Sequence, residues 1–199
     1  MRGRRVLGWA IVAFGSAPAI WLAWRGAAGT LGANPIEELE HETGLAALRL
    51  LLATLAVTPL RRLGFAAIAP FRRRLGLFAF AYVVAHFVIW SVVDNGLDWP
   101  QLLEDIGKRP FVTVGFAAFV LLVPLALTST RASIRRLGKR WVALHRLVYP
   151  AAVLAAVHYV WLVKKDVVPP LRYAAVLALL LAWRLWPRIR ALAVRPVEG

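Results

Sequence analysis

The chain has 199 residues, 60% of them hydrophobic, with a formal net charge of +15 and no cysteine. Soluble domains are closer to half apolar, so this composition excludes an ordinary water-soluble domain. The lack of cysteine excludes disulfides, thiolate-held iron–sulfur clusters and covalent C-x-x-C-H haem attachment; any redox cofactor must be held non-covalently by other ligands.

The first uncharged run, residues 6–24, follows Arg2, Arg4 and Arg5. At ~1.5 Å of rise per residue it is long enough to cross ~30 Å of hydrocarbon as a helix. Its start, MRGRRVLGWAIVAFG, also resembles a signal peptide, with Gly26, Ala27, Ala28 and Gly29 placed like a cleavage site. The run is longer than a signal core, so a retained helix is expected. An acidic segment, NPIEELEHETG, comes next and carries His41. Asn34 or a nearby acid is a candidate cap for a short helix there. The second span is read over residues 44–60, with Arg49 inside and Pro59 near its end. The third covers residues 75–93 and contains His86; the fourth covers residues 110–127. The fifth covers residues 141–163, with His145, Pro150 and His158; the sixth covers residues 171–186. No internal repeat, low-complexity segment or long linker interrupts the series. The expected fold is all-α: one polytopic membrane bundle of six transmembrane helices, forming a single domain over residues 1–199.

Charge orients this bundle. One set of alternate connections and both ends carry Arg2, Arg4, Arg5, Arg61, Arg62, Arg72, Arg73, Arg74, Arg131, Arg135, Arg136, Lys139, Arg140, Arg184, Arg188, Arg190 and Arg195. The other side has only Arg25, Lys108, Arg109, Lys164, Lys165 and Arg172, together with nine of the ten acids. The positive-inside rule then puts both termini in the cytoplasm. Most of the basic charge is topology, which removes nucleic acid as a partner and leaves the lipid bilayer. Trp24, Trp90, Trp141, Trp161 and Trp186 fall near span ends, as interfacial belts do.

An ionisable residue at membrane depth points to a functional site by default. Neutral imidazole is the usual protein ligand of haem iron, and two imidazoles from two helices can clamp one iron from opposite faces. His86 lies eight residues before Asp94 and His158 six before Lys164. Their depths agree within about two residues, or ~3 Å of rise. His86 and His158 are therefore the expected axial pair. His145 is 13 residues from His158, ~20 Å lower along the helix and about 140° away around an ideal helix. Pro150 between them can kink or rephase the helix.

No histidine stands opposite His145 at the cytoplasmic end of the third span. A second cofactor there would have Arg72, Arg73, water or nothing as its other partner. Both arginines can equally pair with haem propionates or a flavin phosphate, or belong to a plain basic loop. His41 reads as a solvated histidine or as a proton-handling group near a quinol site. Arg49 either snorkels to the periplasmic surface or meets a propionate.

The segments GANPIEELEHETG, RRLGLFAFAYVVAH, TSTRASIRRLGKRW followed by LHRLVY, and VHYVW resemble, in order and over nearly the whole chain, the MsrQ (YedZ) family of haem-binding membrane subunits. A weaker likeness extends to the ferric-reductase-like transmembrane superfamily, which uses histidines on its third and fifth helices. The resemblance implies a b-type cytochrome of the bacterial inner membrane. It would pass electrons from the quinone pool to a periplasmic molybdopterin reductase of the MsrP type, with which it pairs as a heterodimer. That partner reduces methionine sulfoxide in oxidised periplasmic proteins. The family's haem-related histidines fall on His86, His145 and His158. FMN is implied by the resemblance alone. The missing fourth histidine departs from the wider superfamily and leaves one haem or two as the alternatives.

The sequence holds no G-x-G-x-x-G and stops soon after its sixth span, so NAD(P)H is not expected to deliver hydride through this polypeptide alone. Quinol or a separate flavin reductase is the expected donor, and the chain is an electron-transfer subunit rather than the substrate-reducing one. The acidic segments at residues 34–43 and 94–109 are candidate docking surfaces. The competing readings are a haem-containing anchor of another oxidoreductase, a ferric reductase, and a non-redox transporter or scaffold whose histidines serve a proton path. Transporters often carry inverted repeats, and none is visible here.

Overall fold

The computed structural model describes residues 2–193, and every regular element among them is helical. The helices are α1 (Arg2–Ala27), α2 (Pro35–Arg62), α3 (Arg72–Val88), α4 (Trp99–Lys108), α5 (Pro110–Leu127), α6 (Arg131–Leu137), α7 (Lys139–Leu144), α8 (Val148–Leu162) and α9 (Val168–Ala193). A 3-10 turn, Ala66–Phe71, leads into α3, and a π-helical turn, Ile89–Asp94, prolongs it. Six stretches are long and apolar enough to cross a membrane: Arg5–Ala27, Pro35–Arg62, Ala66–Asp94, Pro110–Leu127, Lys139–Leu162 and Val168–Trp186. These are the six spans expected from hydropathy. Arg195, and the side chains of Arg2, Arg4, Arg188 and Arg190, which the orientation argument counts, lie outside the described residues.

The largest difference from the sequence reading is at the start of the second span. The second span begins at Pro35, nine residues before the expected residue 44. Hydropathy stops at the acids, but the backbone does not. Asn34 accepts the Glu37 N–H at 3.3 Å and Pro35 occupies the first turn. Glu37 and Glu38 suit the positive end of the helix dipole. The acidic segment is thus the top of a long helix rather than a short separate one. The segment 94–109 is likewise not an open loop. It holds α4, capped by Asp98, whose side chain accepts the Gln101 N–H at 3.2 Å.

α2 is the central pillar. Some 61% of its most apolar window is buried, against 22% or less for every other span. It packs on α1, α3, α8 and α9. The core holds Leu48, Leu51 and Leu55 of α2, Ala79 and Tyr82 of α3, Leu122 of α5 and Ala156 of α8. Ala151 and Ala152 are completely buried. Small residues here let α8 pack tightly, as contacts between membrane helices require. Trp9, Phe14, Leu127 and Leu179 are exposed on the outside of the bundle. That arrangement fits a lipid solvent.

α1 is opened at one point. The Tyr82 hydroxyl accepts the Ala19 N–H at 2.9 Å and donates to the Gly15 carbonyl at 2.8 Å. Those two backbone groups would otherwise bond each other, so the phenol is inserted into the helix ladder. Pro18 lies beside the insertion. A Cβ at Gly15 would stand 2.7 Å from the Phe78 ring, so glycine is what admits the α3 aromatics this close. A mostly apolar cavity of about 350 Å³ lies between α1, α2 and α3, lined by residues including Ala19, Leu39, Thr43, Tyr82 and Ala85.

The fifth span is broken where α7 gives way to a 3-10 turn, His145–Leu147, before α8. Pro150 sits in the first turn of α8 and has no N–H for the Arg146 carbonyl. The Val148 N–H instead reaches the His145 and Arg146 carbonyls. The break therefore falls at His145 itself, just ahead of the proline.

Candidate functional site

His86 near the end of α3 and His158 near the end of α8 face each other, with ring centroids 6.2 Å apart and planes at 76°. Each ring is anchored from behind. His86 Nδ1 lies 2.9 Å from the Glu40 carbonyl of α2, and His158 Nδ1 lies 2.7 Å from the Phe111 carbonyl of α5. A carbonyl can only accept, so each Nδ1 must carry the proton and each Nε2 keeps its lone pair. Both imidazoles are thus held in the form that binds a metal through Nε2.

Two glycines make room for the rings. A Cβ at Gly44 would stand 3.2 Å from His86, and one at Gly115 would stand 2.6 Å from His158 Nδ1. The second distance is impossible for a real side chain, so His158 occupies space that only a glycine in α5 leaves. Phe111 tilts against His158 at 6.2 Å. On the other side Phe87, next to His86, stacks on Phe119 at 4.8 Å and meets Phe116 at 6.1 Å. On these sides the pair is flanked by aromatic rings.

The donor set fits one metal with two protein ligands. Two imidazoles bound at ~2.0–2.1 Å on opposite sides of one ion place their ring centroids about 6–6.5 Å apart. The observed separation has this length. Among the described residues there is no group of three or more His, Asp or Glu placed to hold a metal by protein ligands alone. A group that brings its own equatorial ligands, as haem does, suits such a pair.

His145 is built differently. Its ring stacks on Trp141 at 3.9 Å, and its Nε2 lies 3.1 Å from the Thr128 hydroxyl. Thr128 donates its one hydroxyl proton to the Pro124 carbonyl at 2.6 Å, so it accepts from His145 Nε2–H. The nitrogen left free at His86 and His158 is engaged here, and the lone pair of His145 is on Nδ1. Trp141 also donates to the Thr128 carbonyl at 3.0 Å. Arg72 is partly buried and close enough to act on His145 electrostatically, whereas Arg73 is exposed. His145 is therefore grouped with Arg72, apart from the upper pair.

His41 and Arg49 belong to a third set. His41 Nε2 lies 3.5 Å from the Tyr159 hydroxyl, and its Nδ1 lies 3.6 Å from a Glu42 carboxylate oxygen. The Tyr159 and Tyr173 rings are 6.1 Å apart. Arg49 donates through Nε to the Tyr173 hydroxyl at 2.9 Å. Because α2 starts at Pro35, Arg49 lies fourteen residues into the helix rather than near its beginning.

The sequence carries little sign of Gly44, Gly115 or the two tyrosines. Lone glycines inside apolar helical runs were the available signal for the first two. The anchoring carbonyls of Glu40 and Phe111 had none, since every residue has one.

Six membrane-length helices with two inward histidines on the third and fifth spans define a class, and sequence comparison names it. The pattern of the ferric reductase like transmembrane component matches residues 43–156, more than half of the chain. It takes in His86 and His145 and ends just before His158. Among curated proteins, the protein-methionine-sulfoxide reductase heme-binding subunit MsrQ of Xanthomonas euvesicatoria pv. vesicatoria is 51% identical over 172 residues, 86% of this chain and 79% of that protein. The protein of the same name from Brucella ovis is 47% identical over 191 residues, 94% of this chain and 87% of its own. The chain belongs to the MsrQ family of ferric-reductase-like membrane proteins. No solved structure matches it.

Proposed function

We propose that this chain is the haem-binding, electron-transferring membrane subunit of a protein-methionine-sulfoxide reductase, with His86 and His158 as the axial ligands of a b-type haem. One observation carries the reading: two rings 6.2 Å apart, each with Nδ1 committed to a carbonyl and Nε2 free. The names of the relatives, quoted above, support the same assignment.

A bound haem supplies a one-electron carrier. The chain's own residues set its surroundings. His86 and His158 would hold the haem iron through their free Nε2 atoms. The Glu40 and Phe111 carbonyls fix the ring orientation and raise the basicity of each imidazole. Phe87, Phe111, Phe116 and Phe119 keep water from the pair. His145 with Arg72 forms a separate candidate cofactor site at the other end of the fifth span, for a second haem or for FMN.

In this reading the subunit lies in the bacterial inner membrane with both termini cytoplasmic. Quinol or a reduced flavin donates, and a periplasmic molybdopterin reductase of the MsrP type accepts. The capped acidic end of α2 and helix α4 form its docking face. The test is optical. Protein purified after haem-replete expression should show a reduced-minus-oxidised b-type signal that disappears in His86→Ala and His158→Ala. A folded but colourless protein would sink the proposal.

A further inference from the structure

A narrow cleft lies between α2, α8 and α9 at the end of the bundle away from the acids, lined by residues including Leu55, Thr58, Arg62, Tyr149, Leu180 and Arg184. Arg184 is oriented across it. Its Nη1 donates to the Thr58 hydroxyl at 3.4 Å, and its guanidinium lies 4.8 Å over the Tyr149 ring. A hydroxyl and an aromatic face position a cation, but neither brings a full counter-charge. Arg62 follows Thr58 by one turn on the same face of α2. It is exposed and lines the same cleft. Arg62 closes α2, and Arg184 lies just before Trp186, where the apolar stretch of α9 ends. Two guanidiniums thus meet at one membrane boundary.

Like charges brought to one cleft repel unless an anion joins them. The described residues supply none at this end. Their acids lie within residues 37–42 and 94–105 and at residue 166. That is the opposite end, where Arg25, Lys108 and Arg109 find carboxylates. Among the described residues Arg62 has no carboxylate within ion-pair distance. The counter-charge therefore comes from outside the chain.

The surface beside the cleft says what carries it. Deeper along α9, Val176, Leu179 and Trp183 point outward at helical spacing and are 45%, 70% and 47% exposed. An anion with long apolar tails seats its headgroup on the arginines and its chains on this stripe. A free phosphate or a nucleotide gains only the first contact. A headgroup with its own ammonium, such as phosphatidylcholine, returns a positive charge to the pair. Basic clefts between membrane helices suit acidic headgroups for these reasons.

We infer that this cleft binds a net-anionic phospholipid of the adjoining leaflet. Arg62 and Arg184 hold its phosphate, and its chains lie along Val176, Leu179 and Trp183. The site is separate from the histidine pair and needs no cofactor.

The test is native mass spectrometry of the full chain in detergent, titrated with dioleoyl-phosphatidylglycerol or dioleoyl-phosphatidylcholine. The first phosphatidylglycerol should bind roughly tenfold more tightly than phosphatidylcholine. Arg62→Gln should weaken it about fivefold, and Arg62→Gln with Arg184→Gln about thirtyfold. The control is Arg135→Gln with Arg136→Gln, which removes as much charge from the exposed last turn of α6 at the same end. It should keep the wild-type affinity. Equal affinities for the two lipids would overturn the site. So would equal losses in the two double variants, which would make the retention a matter of general surface charge. Displacement of the lipid by micromolar inorganic phosphate or FMN would overturn it too, in favour of a soluble phosphate ligand. If circular dichroism shows that Arg184→Gln does not fold, Arg62→Gln decides alone, because its side chain is exposed; an unchanged affinity there overturns the site.

Discussion

Gly115 lies so close under His158 that a Cβ added there would stand 2.6 Å from its Nδ1, the atom that holds the Phe111 carbonyl. The matching clearance between Gly44 and His86 is 3.2 Å. Gly115→Ala must therefore push the ring off its carbonyl, whereas Gly44→Ala asks His86 to give by only a few tenths of an ångström. Gly115→Ala is expected to lose most of the bound haem and Gly44→Ala to keep more than half. Haem-to-protein ratios from absorbance, with helix content from circular dichroism, measure both.

The six spans were legible because lipid-facing helices need long uncharged runs, and the charges that end such runs are visible in a sequence. The pairing of His86 with His158 was legible for a related reason: counting from the flanking charges Asp94 and Lys164 gives depth. What the sequence hid was set by contact. The start of α2 is hidden because Asn34 and the helix dipole carry the backbone through acids that hydropathy treats as a boundary. The different states of His86 and His145 depend on which carbonyl or hydroxyl each ring meets, and residues 40, 111 and 128 lie far from them in the chain.

Thr128 decides which nitrogen of His145 is free. Thr128→Val keeps the shape but removes the acceptor of the His145 Nε2–H bond. The expected cost is about 1 kcal/mol of stability, read as a lower thermal midpoint, with the b-type signal of His86 and His158 unchanged. His145→Ala should likewise leave that upper signal in place. Haem-to-protein stoichiometry across His86→Ala, His145→Ala and His158→Ala separates the two ends of the fifth span.

On the acidic face, Asp105 is only 6% exposed and takes one charge-assisted bond, from Arg109 Nε at 3.1 Å. Its other oxygen is buried without a hydrogen-bond partner. Removing Arg109 strands a buried carboxylate ion, whereas Asp105→Asn leaves no buried charge: its amide oxygen keeps the Arg109 bond and only a neutral NH2 takes the place of the unpartnered oxygen. Arg109→Gln should thus destabilise by about 1–3 kcal/mol and Asp105→Asn by less. Thermal unfolding of the two variants in one detergent gives the order; the reverse order would refute the argument.

Tyr82→Phe deletes the hydroxyl that bridges Ala19 and Gly15. The two backbone groups must then bond each other, straightening α1, or remain unpaired. The expected loss is about 1–2 kcal/mol. Greater protease sensitivity in the α1–α2 connection is expected too, because that connection depends on the seat of α1. Limited proteolysis and thermal unfolding read the two effects.

The inserted phenol also bears on how the chain is made. The first span reaches the membrane before the third has been synthesised, and without Tyr82 its only route to a satisfied backbone is to close the bond between Ala19 and Gly15. In the folded bundle that bond is absent and the Tyr82 hydroxyl stands in its place. The final form of the first span is therefore written by a residue translated 63 positions later, and the two mature as a pair.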